Sequence, residues 1–109
     1  MVGINDYSHF SKLENCVNDA RSMRDFLASK GVHVCYVENC NRTEYDEIEK
    51  EFLACIKPGD AAFVFFACHG CEYNNVNRLL TISTSEKFDL RRDGINLLAL
   101  LARWVPYYI

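Results

Sequence analysis

The stretch AAFVFFACHGCEYNN, residues 61–75, decides how this chain is organised. Its first eight residues are continuously apolar, a pattern typical of a parallel strand that is buried on both faces. We therefore predict a fully buried strand over residues 61–68. The apolar run ends at His69 and Gly70, so an ionisable ring follows the strand directly. Open parallel sheets bind ligands at the carboxyl ends of their strands, and the pattern predicts a site there.

The segments before this strand alternate between strand and helix patterns. Residues 1–4 are a short strand stub, and residues 32–38 are rich in β-branched side chains. Apolar residues recur at helical spacing over residues 15–30, and a glycine follows at the usual C-terminal position. A second helix is predicted over residues 43–56, with Thr43 as its cap. The alternation predicts an α/β fold with a mostly parallel sheet.

The segments after this strand carry weaker patterns. Residues 72–80 predict a small hairpin with an Asn-Asn turn. Residues 81–93 read as an exposed loop, and residues 95–104 predict a third helix. Residues 105–109 would then lead into a further strand.

Composition narrows the class of protein. The 109 residues suffice for one domain, and a quarter of them are charged, which is typical of a folded chain. The net charge of -3 and the lack of a basic stripe argue against nucleic-acid binding. The late apolar run contains Arg103 and Pro106 and is too short to span a membrane. Without a secretory pattern at the N-terminus, we expect a cytoplasmic protein whose six cysteines are free thiols.

Two stretches resemble the caspase-like cysteine peptidases, and the metacaspase and paracaspase branches above all. VGINDYSHFSKLENCVNDARSMRDFL, residues 2–27, is similar to the opening strand, loop and first helix of that family. DAAFVFFACHGCEYNNVNRLL, residues 60–80, is similar to the strand that carries the family's catalytic His-Gly pair. The resemblance implies the caspase/haemoglobinase three-layer fold, in which helices cover both faces of a mostly parallel sheet. Residues 1–109 would form a partial caspase-like domain, truncated before the strand with the catalytic cysteine.

The resemblance also implies roles for three residues. His69 would act as the base that works with a cysteine nucleophile, and Gly70 would donate its backbone N–H to the oxyanion. Asp19 would line the first specificity pocket and select Arg or Lys side chains. The implied activity is therefore that of a cysteine endopeptidase that cleaves proteins after Arg or Lys. Each residue also has a structural alternative: a strand end, a turn and a first-turn helix acid.

The nucleophile itself is expected outside this sequence. In caspases it lies ~50 residues beyond the histidine, which is past Ile109 here. We therefore expect the chain to be inactive alone. Its expected partners are protein or peptide substrates with Arg or Lys, and the missing C-terminal part of the domain or a related chain. We expect no cofactor, no metal, no nucleic acid and no membrane.

Three alternative functions remain open from the residues. A pseudo-peptidase or truncated form would be an interaction module that pairs through an exposed sheet edge. Cys68, His69 and Cys71, with Cys35 or Cys40, could supply four zinc ligands. Cys68 and Cys71 also form a CxxC pair that could exchange a disulfide.

Overall fold

The computed structural model describes residues 1–85 and 90–104, with the backbone alone at residues 90 and 91. The strands of this part are β1 (Val2–Gly3), β2 (Val37–Glu38), β3 (Phe66–Ala67), β4 (Gly70–Tyr73), β5 (Val76–Leu79) and β6 (Ile95–Asn96). Its helices are α1 (Cys16–Ser29), α2 (Arg42–Cys55), α3 (Leu90–Asp93) and α4 (Leu97–Trp104). The strand predicted to follow residues 105–109 lies outside the described residues.

The first three strands form a parallel sheet in the order β2-β1-β3. Val2 lies opposite Val37 on one side and opposite Phe66 on the other. Parallel neighbours need long crossover connections, and α1 and α2 provide them. The predicted α/β class with a parallel sheet is therefore confirmed.

The predicted strands over residues 32–38 and 61–68 are too long. β3 pairs with β1 only at Phe66 and Ala67, so residues 61–64 lie outside the paired strand. These residues are consequently more exposed than a central strand, and Phe63 is 58% exposed. The prediction of a fully buried strand over residues 61–68 is wrong for this reason. β2 is also shorter than predicted, because only Val37 and Glu38 pair with β1.

The last three strands form an antiparallel sheet in the order β4-β5-β6. The predicted hairpin is confirmed, because Asn74 and Asn75 turn with φ of 51° and 61° between β4 and β5. Two consecutive residues at positive φ are the requirement of a type I′ turn. The prediction of a third helix is wrong for its first two residues. Ile95 and Asn96 pair with β5, and the helix begins at Leu97.

The first two helices follow the sequence patterns closely. α1 buries Val17 and Ala20 against the parallel sheet, and Gly31 after it adopts φ of 81°. α2 begins two residues earlier than predicted, with Asn41 in place of Thr43 as its cap. The side chain of Asn41 accepts the Glu44 N–H, and the Glu44 carboxylate accepts the Asn41 N–H. This reciprocal pair satisfies two backbone donors at once, which fixes the start of the helix.

The prediction of an exposed loop over residues 81–93 is wrong for its first part. Thr81 and Thr84 are fully buried, and Ser85 is nearly so. The two threonine hydroxyls lie 3.0 Å apart, and both donate to the carbonyl of Asp93. Residues 90–93 form a helical turn, and residues 86–89 lie outside the described residues.

The core lies between the parallel sheet, the antiparallel sheet and α4. Its buried members are Val2, Ile4, Tyr7, Cys40, Tyr45, Leu80, Ile95, Leu100 and Trp104. Glu49 is also buried, and it holds α4 against α2 by accepting hydrogen bonds from Arg103 and Trp104. Over residues 1–85 and 90–104, the structure contains no helix with the length and apolar character that a membrane span requires.

Candidate functional site

The candidate site lies at the carboxyl edge of the parallel sheet. β1 and β3 both end there, and His69 follows β3 after one intervening residue, Cys68. α1 begins at the same edge, beside Gly3 at the end of β1. A Cβ atom on Gly3 would lie 2.7 Å from Ala20 Cβ and 2.8 Å from the Cys16 carbonyl oxygen. Only glycine permits this contact, so the start of α1 is held against the sheet at the site.

The imidazole of His69 is held by the loop that follows β1. Its Nε2 lies 2.8 Å from the carbonyl oxygen of Ser11. The ring also packs against Tyr7 and Phe10, with centroid distances of 4.6 Å and 6.5 Å. His69 is half-buried.

The Ser11 contact assigns the protons of the His69 ring. A carbonyl oxygen has lone pairs but no proton, so Nε2 must be the donor in this bond. In the neutral ring the other nitrogen, Nδ1, then carries the lone pair. A neutral His69 ring with this contact therefore has Nδ1 as its hydrogen-bond acceptor.

Gly70 begins β4, and the register of the hairpin gives the direction of its backbone N–H. The N–H of Leu80 donates to the carbonyl of His69, and Gly70 lies opposite Leu79 in the same register. Opposite residues of an antiparallel ladder alternate between hydrogen-bonded and non-hydrogen-bonded pairs. Gly70 and Leu79 form a pair of the second kind, so the Gly70 N–H points away from β5. Gly70 is also exposed.

Asp19 lies in the first turn of α1, where its carboxylate is exposed. The start of this helix is tied to the sheet edge by Asn5, whose side-chain oxygen accepts the Val17 N–H at 3.1 Å. Asp19 and His69 thus follow β1 and β3 at the same edge of the parallel sheet. The structure leaves the role of Asp19 a prediction.

The cysteines near His69 are unsuited to nucleophilic attack. Burial raises the pKa of Cys68 to about 12, and Cys40 is fully buried with its pKa raised to about 11. A thiol must ionise to attack a carbonyl carbon, and burial opposes this ionisation. Cys71 packs against the hydrophobic core. The Cys16 pKa is raised as well, by burial and by nearby Asp19.

The zinc alternative finds no support in this geometry. Across the described ranges, no three His, Cys, Asp or Glu side chains are grouped so that they could hold a metal ion. These ranges include all the ligands considered for zinc. The redox alternative is also disfavoured, because Cys68 packs partly buried against the core and its pair with Cys71 enters a strand rather than a helix. Both thiols are free.

Sequence reasoning missed the residues that hold the imidazole. Tyr7, Phe10 and Ser11 all lie in the loop after β1, and they are 58 to 62 residues from His69 in the sequence. Their position in the sequence could have indicated this contact. A loop that leaves the carboxyl end of the central strand borders the site in a parallel sheet, and two aromatic residues in such a loop call for a packing partner.

Comparison with known families agrees with this geometry. A family model described as the caspase domain matches residues 1–101, which is most of the 109-residue chain. The chain belongs to the caspase-domain family. The family supports a peptidase-like function for this caspase-domain chain, and its parallel three-stranded sheet fits the caspase-like fold. No individual curated protein matches it significantly in sequence.

Proposed function

We propose that this caspase-domain chain supplies the base, the oxyanion donor and the selecting acid of a cysteine endopeptidase that cleaves after Arg or Lys. The observation that carries the proposal is the 2.8 Å contact between His69 Nε2 and the Ser11 carbonyl oxygen. This contact supports the proposal because a neutral ring that donates from Nε2 has Nδ1 as its acceptor nitrogen. The metacaspase and paracaspase branches are the part of the family in which an acid at the position of Asp19 selects basic residues.

The proposed reaction has two stages, formation and hydrolysis of a thioester, and His69 transfers protons in both. Nδ1 first takes the proton of a cysteine thiol, and the thiolate attacks the scissile carbonyl carbon. The oxyanion that forms accepts the N–H of Gly70. The imidazolium then returns its proton to the leaving amine, and a thioester remains on the enzyme. Nδ1 then takes a proton from water, which attacks the thioester carbon and breaks the C–S bond. The departing thiolate takes the proton back from the imidazolium, which regenerates the thiol.

Asp19 would select the residue before the cleaved bond. Its exposed carboxylate can accept two parallel hydrogen bonds from a guanidinium group, or one charged bond from an ammonium group. An acidic substrate side chain would be repelled at the same position. The charge of Asp19 therefore favours Arg or Lys over Asp.

The nucleophile of this reaction would come from outside the six cysteines described above. Burial raises the pKa of Cys16, Cys35, Cys40 and Cys68. Cys55 is the last residue of α2 and lies toward the amino ends of the parallel strands, whereas His69 lies at their carboxyl ends. A cysteine at the carboxyl end of a strand beside β3 would lie close to His69. β3 is an edge of the described parallel sheet, which leaves room for such a strand.

Substrate selection can be tested without turnover. We would titrate residues 1–109 with short peptides that end in Arg, Lys or Asp, and follow the backbone amide signals of Asp19 and Gly70 by NMR. We expect the Arg and Lys peptides to shift both signals and the Asp peptide to shift neither. Asp19→Asn should abolish the shifts. Asp25→Asn, on the same helix with a side chain 69% exposed, should leave them unchanged. Equal binding of the Asp peptide would contradict the proposal.

Turnover tests the placement of the nucleophile. Residues 1–109 alone should not cleave Arg- or Lys-ended peptides, whereas a longer product of the same coding sequence should do so if it adds a cysteine strand beside β3. In that longer chain, His69→Ala should abolish cleavage. Thiol-dependent cleavage by residues 1–109 would show that one of the six cysteines is the nucleophile after all.

A second candidate function is favoured by the free edge of the parallel sheet. The backbone N–H and C=O of Phe66 face away from β1, because Phe65 and Ala67 make the bonds to that strand. Such an edge can pair with a strand of another chain, and the protein would then be a non-catalytic interaction module. Concentration-dependent dimerisation of residues 1–109, measured by sedimentation equilibrium, would support this function. A monomer at all concentrations would count against pairing between copies.

A further inference from the structure

The hydroxyl of Tyr7 lies inside the ladder that joins the two ends of the β4–β5 hairpin. Tyr7 is 3% exposed, and its hydroxyl accepts the backbone N–H of His69 at 2.8 Å. The same hydroxyl donates to the carbonyl oxygen of Leu80 at 3.2 Å. The N–H of Leu80 in turn donates directly to the carbonyl of His69 at 2.9 Å.

Two hydrogen bonds through the Tyr7 hydroxyl replace one direct backbone hydrogen bond of the ladder. A hydrogen-bonded pair in an antiparallel sheet normally exchanges both N–H groups directly. Between His69 and Leu80 only one of these bonds is direct, and the hydroxyl of Tyr7 relays the other. His69 is thereby held away from β5 at the point where the chain passes from β3 into β4. Phenylalanine could not replace Tyr7 here, because both bonds use the hydroxyl.

The side chain of His69 is held by the same residue. The rings of Tyr7 and His69 lie 4.6 Å apart at an angle of 54°. Burial raises the pKa of Tyr7, which keeps its hydroxyl protonated and able to donate to Leu80. One side chain therefore fixes both the main chain and the ring of the histidine.

We infer that Tyr7 is a positioning residue for the imidazole of His69. By holding the main chain off β5 and packing on the ring, it directs Nε2 to the Ser11 carbonyl and leaves Nδ1 toward the site. This inference rests on the proposed function for its catalytic meaning, since a fixed Nδ1 matters only if His69 is the base. The geometry itself can be tested separately.

The test compares the imidazole nitrogens of three proteins by ¹⁵N NMR: the unaltered chain, Tyr7→Phe and Tyr45→Phe. In the unaltered chain and in Tyr45→Phe, the His69 signals should be those of a ring protonated at Nε2. Tyr45 is a matched control because it is also buried, at 2% exposed, and it packs on Phe66 rather than on His69. Tyr7→Phe should move the His69 backbone amide signal and introduce the tautomer protonated at Nδ1.

Two results would overturn the inference. The first is a folded Tyr7→Phe protein whose His69 signals match those of the unaltered chain. The second applies even if that variant fails to fold: the unaltered chain should show a slowly exchanging Tyr7 hydroxyl proton close to the His69 amide proton, and its absence from that position would contradict the relay. Neither measurement depends on turnover. In an active longer chain, loss of turnover in Tyr7→Phe without a change in KM would link the positioning to catalysis, whereas unchanged turnover would overturn that role.

Discussion

At the scale of single residues, two buried tyrosines differ in how their hydroxyls are satisfied. Tyr7 makes two hydrogen bonds, to His69 and Leu80. The hydroxyl of Tyr45 is buried and finds no partner among the described residues. Buried polar groups are destabilising when they lack a partner, and removal of one partner from a bonded group leaves the other unpaired. The two hydroxyls should therefore contribute to stability with opposite sign.

We predict that Tyr7→Phe lowers the free energy of unfolding by about 1–3 kcal/mol, because the His69 N–H and the Leu80 carbonyl lose their relay. Tyr45→Phe should be neutral or stabilising, since it removes a hydroxyl that gains nothing from its burial. Urea unfolding of both variants beside the unaltered chain measures the two effects. Equal destabilisation by the two substitutions would contradict the assignment of these hydroxyls.

At the scale of elements, the backbone amides on the two sides of β3 should differ in their rates of hydrogen exchange. Ala67 directs its backbone toward β1, and its carbonyl accepts the Ile4 N–H at 2.9 Å. Phe66 directs its backbone the other way, toward the free edge. We predict that the Ala67 amide exchanges its hydrogen more slowly than the Phe66 amide, by on the order of 100-fold. Hydrogen exchange followed by NMR measures both amides in one sample. A protected Phe66 amide would mean that another strand covers this edge.

The junction between α2 and α4 depends on the carboxylate of Glu49. It accepts hydrogen bonds from Trp104 Nε1 at 3.0 Å and from the guanidinium of Arg103. Arg103 is partly exposed and can turn to water, but the Trp104 N–H is buried and cannot. Glu49→Ala should therefore lower the free energy of unfolding by about 1–3 kcal/mol, the cost of one buried unpaired donor.

Tryptophan fluorescence provides a second measurement at this junction, because Trp104 is the one tryptophan in the sequence. Glu49→Ala should shift its emission to longer wavelength as the end of α4 loosens. Glu47→Ala, at an exposed position on the same helix, is the control and should change stability by less than about 0.5 kcal/mol. Similar losses in both variants would show that Glu49 does not hold α4.

Elements with local signals could be predicted from the sequence, and those set by distant contacts could not. The spacing of Val17 and Ala20 marks α1, and the Asn-Asn pair marks the hairpin, because the physics of each involves neighbouring residues. The lengths of β2 and β3 depend instead on their register with the first residues of the chain. Thr81 and Thr84 are polar and read as a loop, yet both hydroxyls donate to the Asp93 carbonyl inside the fold.

The features of the site also divide into those with a local sequence signal and those set by distant contacts. His69 and Gly70 could be placed at the carboxyl ends of the parallel strands because they follow an apolar run, and their catalytic roles stay predictions. The tautomer and orientation of the His69 ring could not be predicted, because these depend on Ser11 and Tyr7, which approach from another part of the chain. The resemblance to caspase-like peptidases identified the family, and the predicted specificity of Asp19 remains a prediction for the peptide titration.

At the scale of the whole molecule, the site depends on contacts that join distant parts of the chain. The loop after β1 also reaches the segment after β5, where the Ser8 N–H donates to the Ile82 carbonyl. The Ile82 N–H donates in turn to the Cys40 carbonyl, beyond β2. Three segments thus meet around the loop that holds His69. Any loss of global stability should therefore loosen the imidazole as well.

Acid should reduce that stability partly through Glu38. The guanidinium of Arg21 donates two hydrogen bonds to this carboxylate, and the Tyr36 hydroxyl donates another. Arg21 first, and Tyr36 second, lower the pKa of Glu38 from 4.5 to about 2. A carboxyl group with a lowered pKa stabilises the folded state above its unfolded pKa, and this contribution is lost as the pH falls through the folded pKa. The contribution is modest because both side chains are substantially exposed.

We therefore predict that Glu38→Gln lowers the urea midpoint at about pH 6, and that the difference from the unaltered chain shrinks as the pH falls from about 4.5 to about 2. Salt at about 1 M should reduce the same difference at neutral pH, because it screens exposed charges. Glu47→Gln, which removes a charge from an exposed position on α2, should not reproduce this pH dependence. A difference that stays constant across the acid range would show that Arg21 and Glu38 do not stabilise the fold as an ion pair.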